Sequence, residues 1–268
     1  MSVWDHLVGQ QHIVDQLTTT VQAAQAALRG ESGRGMTHAW LFTGPPGSGR
    51  STAARAFAAA LQCERGGCGE CLACRTALAG SHADVTVITT EESQLRVGAI
   101  REYVRLAALS PAGRRWQVMI VEDADRLNEK AADALLKSIE EPPPRTVWLL
   151  CAPTVEDVEP TIRSRCRALV LRTPSTAEVS GYLESRDDVP SAVAGFAARV
   201  SQGHIGRARA LARDEDVRNR RREVVSYPAK LTSLGSCMTA AANLAEVTKE
   251  EADQVTGCLL YTSDAADE

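Results

Sequence analysis

The sequence predicts an α/β protein: a doubly wound, parallel, five-stranded sheet carrying a small cysteine module, followed by a small all-α domain. Three observations predict it. Short apolar runs alternate with helical patterns through residues 1–172. A glycine-rich turn joins the first of these strands to an alanine-rich helix. The alternation ends around Arg172 to Thr176, beyond which only helical patterns follow.

Taken in order, His38 to Thr43 (HAWLFT) reads as an apolar strand and Thr52 to Gln62 (TAARAFAAALQ) as a helix of strong helix formers. Asp84 to Thr89 is strand-like, and Val97 to Leu109 has helical spacing through Ile100, Val104 and Ala107 or Ala108. Trp116 to Val121 is continuously apolar, as a strand buried on both faces must be. Glu129 to Ile139 repeats apolar residues at Ala131, Ala134, Leu135 and Ile139, with Asn128 as its N-cap and Pro142-Pro143-Pro144 as its stop. Thr146 to Cys151 and Ala168 to Leu171 complete the five strands. Pro174-Ser175-Thr176 with Glu178 then opens helices near Ala177 to Leu183, Pro190 to Ser201 and Gly206 to Arg213, and a further helix is expected past Arg222. The expected division is 1–172 for the α/β domain with the cysteine module at 63–74, 173–222 for the helical domain, and 223–257 for the start of another helical domain.

The turn after the first strand, Gly44-Pro45-Pro46-Gly47-Ser48-Gly49-Arg50-Ser51, is a phosphate-binding loop in which arginine replaces the lysine of G-x-x-x-x-G-K-[ST]. Glycines allow successive N–H groups to turn inward on a polyphosphate, and the helix that follows adds its positive end. A planar guanidinium does not fill the place of a compact ammonium, so weak nucleotide binding without efficient hydrolysis is expected. After the third strand, Glu122-Asp123 stands where phosphate-loop ATPases carry Asp-Glu for Mg²⁺ and the attacking water; here the order is inverted.

Four of the eight cysteines fall in Cys63-x4-Cys68-x2-Cys71-x2-Cys74, with Gly66, Gly67 and Gly69 to make the turns. That spacing suits a structural Zn²⁺ with all positions filled by protein, in preference to reduced thiols or a disulfide pair. With 44% apolar and 24% charged residues and a net charge of −4, the chain reads as globular, and nucleic-acid binding over its whole surface is disfavoured. No apolar run reaches membrane-spanning length and the N-terminus has no signal-peptide pattern, so a cytoplasmic protein without a membrane segment is expected. Residues 258–268, beginning at Cys258, read as a translated sequencing adapter, and the genuine chain is expected to break off near Gly257.

The order Val8-Gly9-Gln10, the phosphate loop, the four cysteines, the run from Ala134 to Pro143 (ALLKSIEEPP) and Ser164-Arg165-Cys166 closely resembles bacterial clamp loader subunits of the AAA+ class, over roughly residues 4–213. Within that family the altered catalytic pieces resemble the delta-prime branch rather than the gamma/tau motor branch, which is the alternative. Two further stretches point the same way. Leu150-Cys151-Ala152-Pro153 lacks a polar γ-phosphate sensor, and Gly203-His204-Ile205-Gly206 has Arg207 one position away from the motor arginine. The resemblance implies a hetero-oligomer with gamma/tau motor subunits and a delta subunit that places a sliding clamp on primed DNA. It implies that ATP/Mg²⁺ is bound at most weakly here and that residues 223 onward begin a helical collar. It further implies that Arg165 acts in trans, as an arginine finger on a neighbour's ATP. Arg101 and Arg105, one helical turn apart on a segment expected to pack near the phosphate loop, are the candidates for contacting DNA phosphates, against the alternative of a solvated face paired with Glu102 or Glu91.

Overall fold

The computed structural model describes residues 2–245 except 34, 91–93 and 114; Cys258 and the adapter-like tail, and Glu91, lie outside the described residues. The chain divides into two compact units, one ending at Pro174 and the other beginning at Ser175. In the first, the order is α1 (Gln11–Leu28), β1 (Ala39–Thr43), α2 (Arg50–Gln62), α3 (Leu72–Leu78), β2 (Val85–Ile88), α4 (Val97–Ala107), β3 (Gln117–Val121), α5 (Glu129–Glu140), β4 (Thr146–Ala152), α6 (Pro160–Arg163) and β5 (Arg167–Val170). The strands form one five-stranded parallel sheet ordered β2-β3-β4-β1-β5.

The central strands β1, β3 and β4 are buried along their whole length, which is why their sequences are apolar except at one end each (Thr43, Gln117 and Thr146) instead of alternating. Residues of alternating parity serve opposite faces. Trp40, Phe42, Val118, Ile120, Val147 and Leu149 pack with α1 and α2. Leu41, Met119, Val121, Trp148 and Leu150 pack with α4, α5 and α6. The alanines of α2 are almost all fully buried, so the helix lies close against the sheet. Helix α1 has no counterpart among the expected elements.

The chain leaves β1 towards β2 and leaves β4 towards β5 on the other side of β1, so the topological switch lies between the paired strands β1 and β4. Ligands in open α/β sheets bind outside the carboxyl ends of the strands at such a point. The register places Thr43 opposite Ala152 and Leu150 opposite Val121, which sets the exits of β1, β3 and β4 side by side.

The second unit contains α7 (Thr176–Asp187), α8 (Ser191–Ser201), α9 (Ile205–Arg213), α10 (Glu215–Lys230) and α11 (Leu234–Ala245). Ser175 and Glu178 form a complete capping box at the start of α7. Val179, Leu183, Ala194, Ala197, Ala198 and Leu211 make its core. The helix expected past Arg222 begins earlier, at Glu215, because Asp214 accepts hydrogen bonds from the N–H groups of Asp216 and Val217 and caps it there. Asp187 accepts both from Arg209, at 2.8 Å through each nitrogen, and from Arg213 at 2.7 Å, tying α7 to α9. Among the described residues no helix is long and apolar enough to cross a membrane.

Candidate functional site

The phosphate loop runs from the end of β1 into α2 at the topological switch. Its glycines Gly44, Gly47 and Gly49 all have positive φ, at 152°, 83° and 95°. At Gly44 a side chain is excluded outright: a Cβ would lie 2.6 Å from the Leu171 carbonyl oxygen and 2.7 Å from Ser48 Oγ. Pro45 accepts from the Ser48 N–H, closing the turn, and Gly49 caps α2 in the left-handed region, with Arg50 and Ser51 in the first helical turn. Pro46 lies within the same turn. The hydroxyls of Thr43 and Ser48 are buried and have no hydrogen-bond partner among the described residues.

Gln10 holds this loop in place. It is fully buried, and its amide nitrogen donates to Ser48 O at 3.3 Å and Arg172 O at 2.6 Å while its oxygen accepts from Arg172 N at 3.2 Å. The Val8-Gly9-Gln10 signature therefore ties the phosphate loop to the exit of β5. Gln10→Ala is expected to destabilise the first unit by about 1–3 kcal/mol, because buried backbone groups are left unpaired; a melting curve checks this, and an unchanged curve would contradict it.

The charged residues depart from a hydrolytic site. Arg50 folds back and donates to Gly44 O at 2.7 Å. Glu122, at the end of β3, accepts from Arg55 Nε of α2 at 2.7 Å, with the two side chains 17% and 30% exposed. Asp123 accepts from the Thr90 N–H at 3.3 Å and lies 3.9 Å from Arg126 Nε. Cys151, where a polar sensor would stand, is buried, and desolvation pushes its thiol above the usual range, with the Glu122 charge adding to the effect. Arg55 escapes motif reading altogether: its partner lies 67 residues away in sequence.

The four cysteines converge as the spacing predicts. All four Sγ atoms lie within 4.8 Å of one another and could hold one metal ion. Cys63 and Cys68 are 3.6 Å apart, Cys71 and Cys63 3.8 Å, and Cys68 and Cys74 4.0 Å. The N–H groups of Cys68 and Cys74 donate to Cys63 Sγ and Cys71 Sγ, and Arg65 donates to Cys68 Sγ at 3.1 Å. N–H donors, those of Glu70 and Cys71 first, lower the Cys68 thiol to about 6, whereas burial raises that of Cys74. At Cys63 burial works upward but is outweighed by N–H groups of Cys68, Gly67 and Arg65. The module is tied into the fold at Gly67, whose carbonyl accepts from the Val3 N–H at 3.1 Å and where a Cβ would lie 2.7 Å from the Val3 side chain.

Arg165 lies in the turn between α6 and β5. It donates to Thr161 O at 2.6 Å and to Ser164 Oγ at 3.2 Å and is ion-paired with Glu140 at the end of α5. Arg101 and Arg105 are exposed on α4, and Arg105 pairs with Glu102 at 3.1 Å. Helix α4 packs against α5 on the sheet face opposite α2, its Ile100 belonging to the same apolar cluster as Ile88 and Met119. In the second unit, His204 caps α9 by accepting from the Arg207 N–H at 3.3 Å, and burial first, then Arg207, lowers its pKa.

A family model described as "DNA polymerase III, delta subunit" matches residues 18–175. The chain is 35% identical to DNA polymerase III subunit delta' of Pseudomonas aeruginosa over 72% of its own length and 61% of that protein's. It is 31% identical to DNA polymerase III subunit tau of Bacillus subtilis over 67% of its length and 31% of that protein's. The chain thus spans less than two thirds of these relatives. Among solved structures, the Thermotoga maritima RuvB Holliday junction branch migration motor has the same fold, with a TM-score of 0.53 at 18% identity over 92% of this chain and 73% of that one.

Proposed function

The chain belongs to the family of DNA polymerase III clamp-loader subunits, and from that premise we propose that it is a delta-prime-type member whose chemical contribution is made at a neighbour's ATP site. The pairing of Glu122 with Arg55 carries this reading, because it takes the acid at the end of β3 out of metal binding. Arg50 on Gly44 O and Asp123 on the Thr90 N–H support it. The chain then works in a hetero-oligomer with gamma/tau and delta subunits that opens a sliding clamp and sets it on primed DNA in the cytoplasm. Its own loop binds nucleotide weakly at best, and Arg165, following Ser164, stabilises charge on phosphate across the subunit boundary. Arg101 and Arg105 are exposed and could meet DNA phosphates without reading bases.

The cysteine module is assigned to structural Zn²⁺. Zn–S bonds near 2.3 Å in a tetrahedron put sulfurs about 3.8 Å apart, and the three separations of 3.6, 3.8 and 4.0 Å fit that edge. Four protein ligands leave no open position for catalysis.

The test is ATP hydrolysis by the isolated chain with saturating ATP and Mg²⁺. No turnover above background is expected, and Arg50→Lys should not restore it, since Glu122 and Asp123 keep their present partners. Brisk turnover in the wild-type chain would return it to the gamma/tau-type motor reading.

A further inference from the structure

Resting on the in-trans reading of Arg165 above, we propose that Glu140 is the residue that positions it, holding the guanidinium in one orientation before a neighbour's phosphate arrives. The two residues come from motifs that are separate in sequence, Ala134 to Pro143 and Ser164-Arg165-Cys166, and the fold joins them. Arg165 Nη2 is ion-paired with a Glu140 carboxylate oxygen, while Nη1 donates to Thr161 O at 2.6 Å and to Ser164 Oγ at 3.2 Å. Ser164 Oγ is itself held, donating to Thr161 O at 3.1 Å. Partners on α5, on α6 and in the turn after it thus fix a side chain that is 38% exposed.

Both members of the pair stand on anchored backbone. Glu140 is the last residue of α5, next to Ile139, and Arg165 follows α6, next to Cys166. Ile139 and Ile162 are fully buried in one apolar cluster, and Cys166 packs against it. The N–H groups of Arg165 and Cys166 donate to Ile162 O at 3.0 Å and Arg163 O at 3.2 Å, which closes the turn. The carbonyl end of α5 adds partial negative charge beside Glu140. An ion pair between side chains this exposed contributes little to folding, so its consequence lies in orientation. A free arginine side chain samples many rotamers, and a guanidinium already held need not be ordered when charge develops on a phosphate. The planar fork also serves two phosphate oxygens only when it is correctly turned.

The test is a double-mutant cycle on clamp- and DNA-stimulated ATP hydrolysis, in a complex rebuilt from gamma/tau and delta subunits with a full-length version of this chain. Glu140→Ala should lower kcat at the facing site by about tenfold with KM for ATP unchanged, because Arg165 acts on the transition state and not on nucleotide binding. Glu140→Gln keeps an acceptor at the same place and should retain most of the activity. Glu141, the next residue and exposed, is the control, and Glu141→Ala should behave like the wild type. In an Arg165→Ala background Glu140→Ala should cause no further loss, a result that a merely structural role does not give. Melting curves and gel filtration verify folding and assembly. Glu140→Ala activity equal to or above wild type, the same loss in both backgrounds, or a Glu140→Ala complex that fails to assemble overturns the positioning role. If Arg165→Ala is itself without effect, the in-trans reading falls and this proposal with it; if Arg165→Ala is defective and Glu140→Ala is not, only the positioning role falls.

Discussion

A Cys71→Ser, Cys74→Ser variant is expected to lose its metal and, with it, the order of the segment from Cys63 to α3. Cys71 is both a ligand candidate and the N-cap of α3, its Sγ accepting from the Cys74 N–H, so the metal site and the helix start stand on the same atoms. The segment from 63 to 71 contains no helix or strand, and its three glycines, Gly66, Gly67 and Gly69, all have positive φ. Besides the hydrogen bonds that reach Gly67 O and Cys63 O from outside it, the four sulfurs are what draws the segment together, and structural zinc sites contribute folding free energy directly, with apparent values of about 10–16 kcal/mol in small zinc peptides. The effect should spread along defined routes. Arg115 donates to Cys63 O at 3.2 Å and to Leu61 O at 3.0 Å, and Gln25 donates to Cys63 O at 3.3 Å, so α1 and the approach to β3 should loosen next. Elemental analysis should give one zinc per wild-type chain and about a tenth or less in the variant. A zinc-free wild-type protein, or a variant with full metal content, would contradict the assignment. Chelation of the wild type should reproduce the variant's hydrogen-exchange pattern between 63 and 78.

Much of this was legible in the sequence because the residues involved are neighbours in it. The loop Gly44 to Ser51 and the cysteine cluster depend on short-range spacing, and backbone geometry brings such residues together whatever the rest of the chain does. The strands were legible for a different reason: β1, β3 and β4 are buried on both faces, so their apolar runs have no polar interruption. Helix α1 was not assigned, because its buried positions, Ile13, Leu17, Thr20, Val21 and Ala24, lie among glutamines, threonines and alanines with modest contrast between faces. The long-range partnerships, at the phosphate loop and away from it, were illegible. Arg55 with Glu122, Gln10 with Ser48 and Arg172, and Arg165 with Glu140 are all long-range pairs created by the sheet order. The inverted acids showed that the site departs from the motor pattern. Only the fold shows that Glu122 is paired with a cation and that α4, with Arg101 and Arg105, lies across the sheet from the loop helix.

Arg165→Ala is expected to cut ATP hydrolysis at one neighbouring subunit's site by about 10³-fold or more, the range of an arginine finger supplied in trans. The Arg165 side chain is 38% exposed and Glu140 44%, so truncation leaves a carboxylate that water can reach, and folding and zinc content should not change. The neighbouring arginines provide the contrast. Arg167 stacks over Trp40, its guanidinium carbon 5.1 Å from the ring centroid, so its loss should act on this chain's stability and not on a partner's chemistry. Arg163 lies in the last turn of α6 outside the motif position, and its alanine variant should do much less. Arg165→Lys is the sharper substitution, since it keeps the charge and loses the planar fork that spans two phosphate oxygens.

The direct measurement is clamp- and DNA-stimulated ATP hydrolysis by a complex rebuilt from gamma/tau and delta subunits with a full-length version of this chain, carrying in turn wild-type residue 165, Arg165→Ala and Arg165→Lys. The in-trans account predicts that both variants assemble normally and lose the activity of the facing site, with lysine clearly defective. Full activity in both variants, or equal losses from Arg163→Ala and Arg167→Ala, would contradict it.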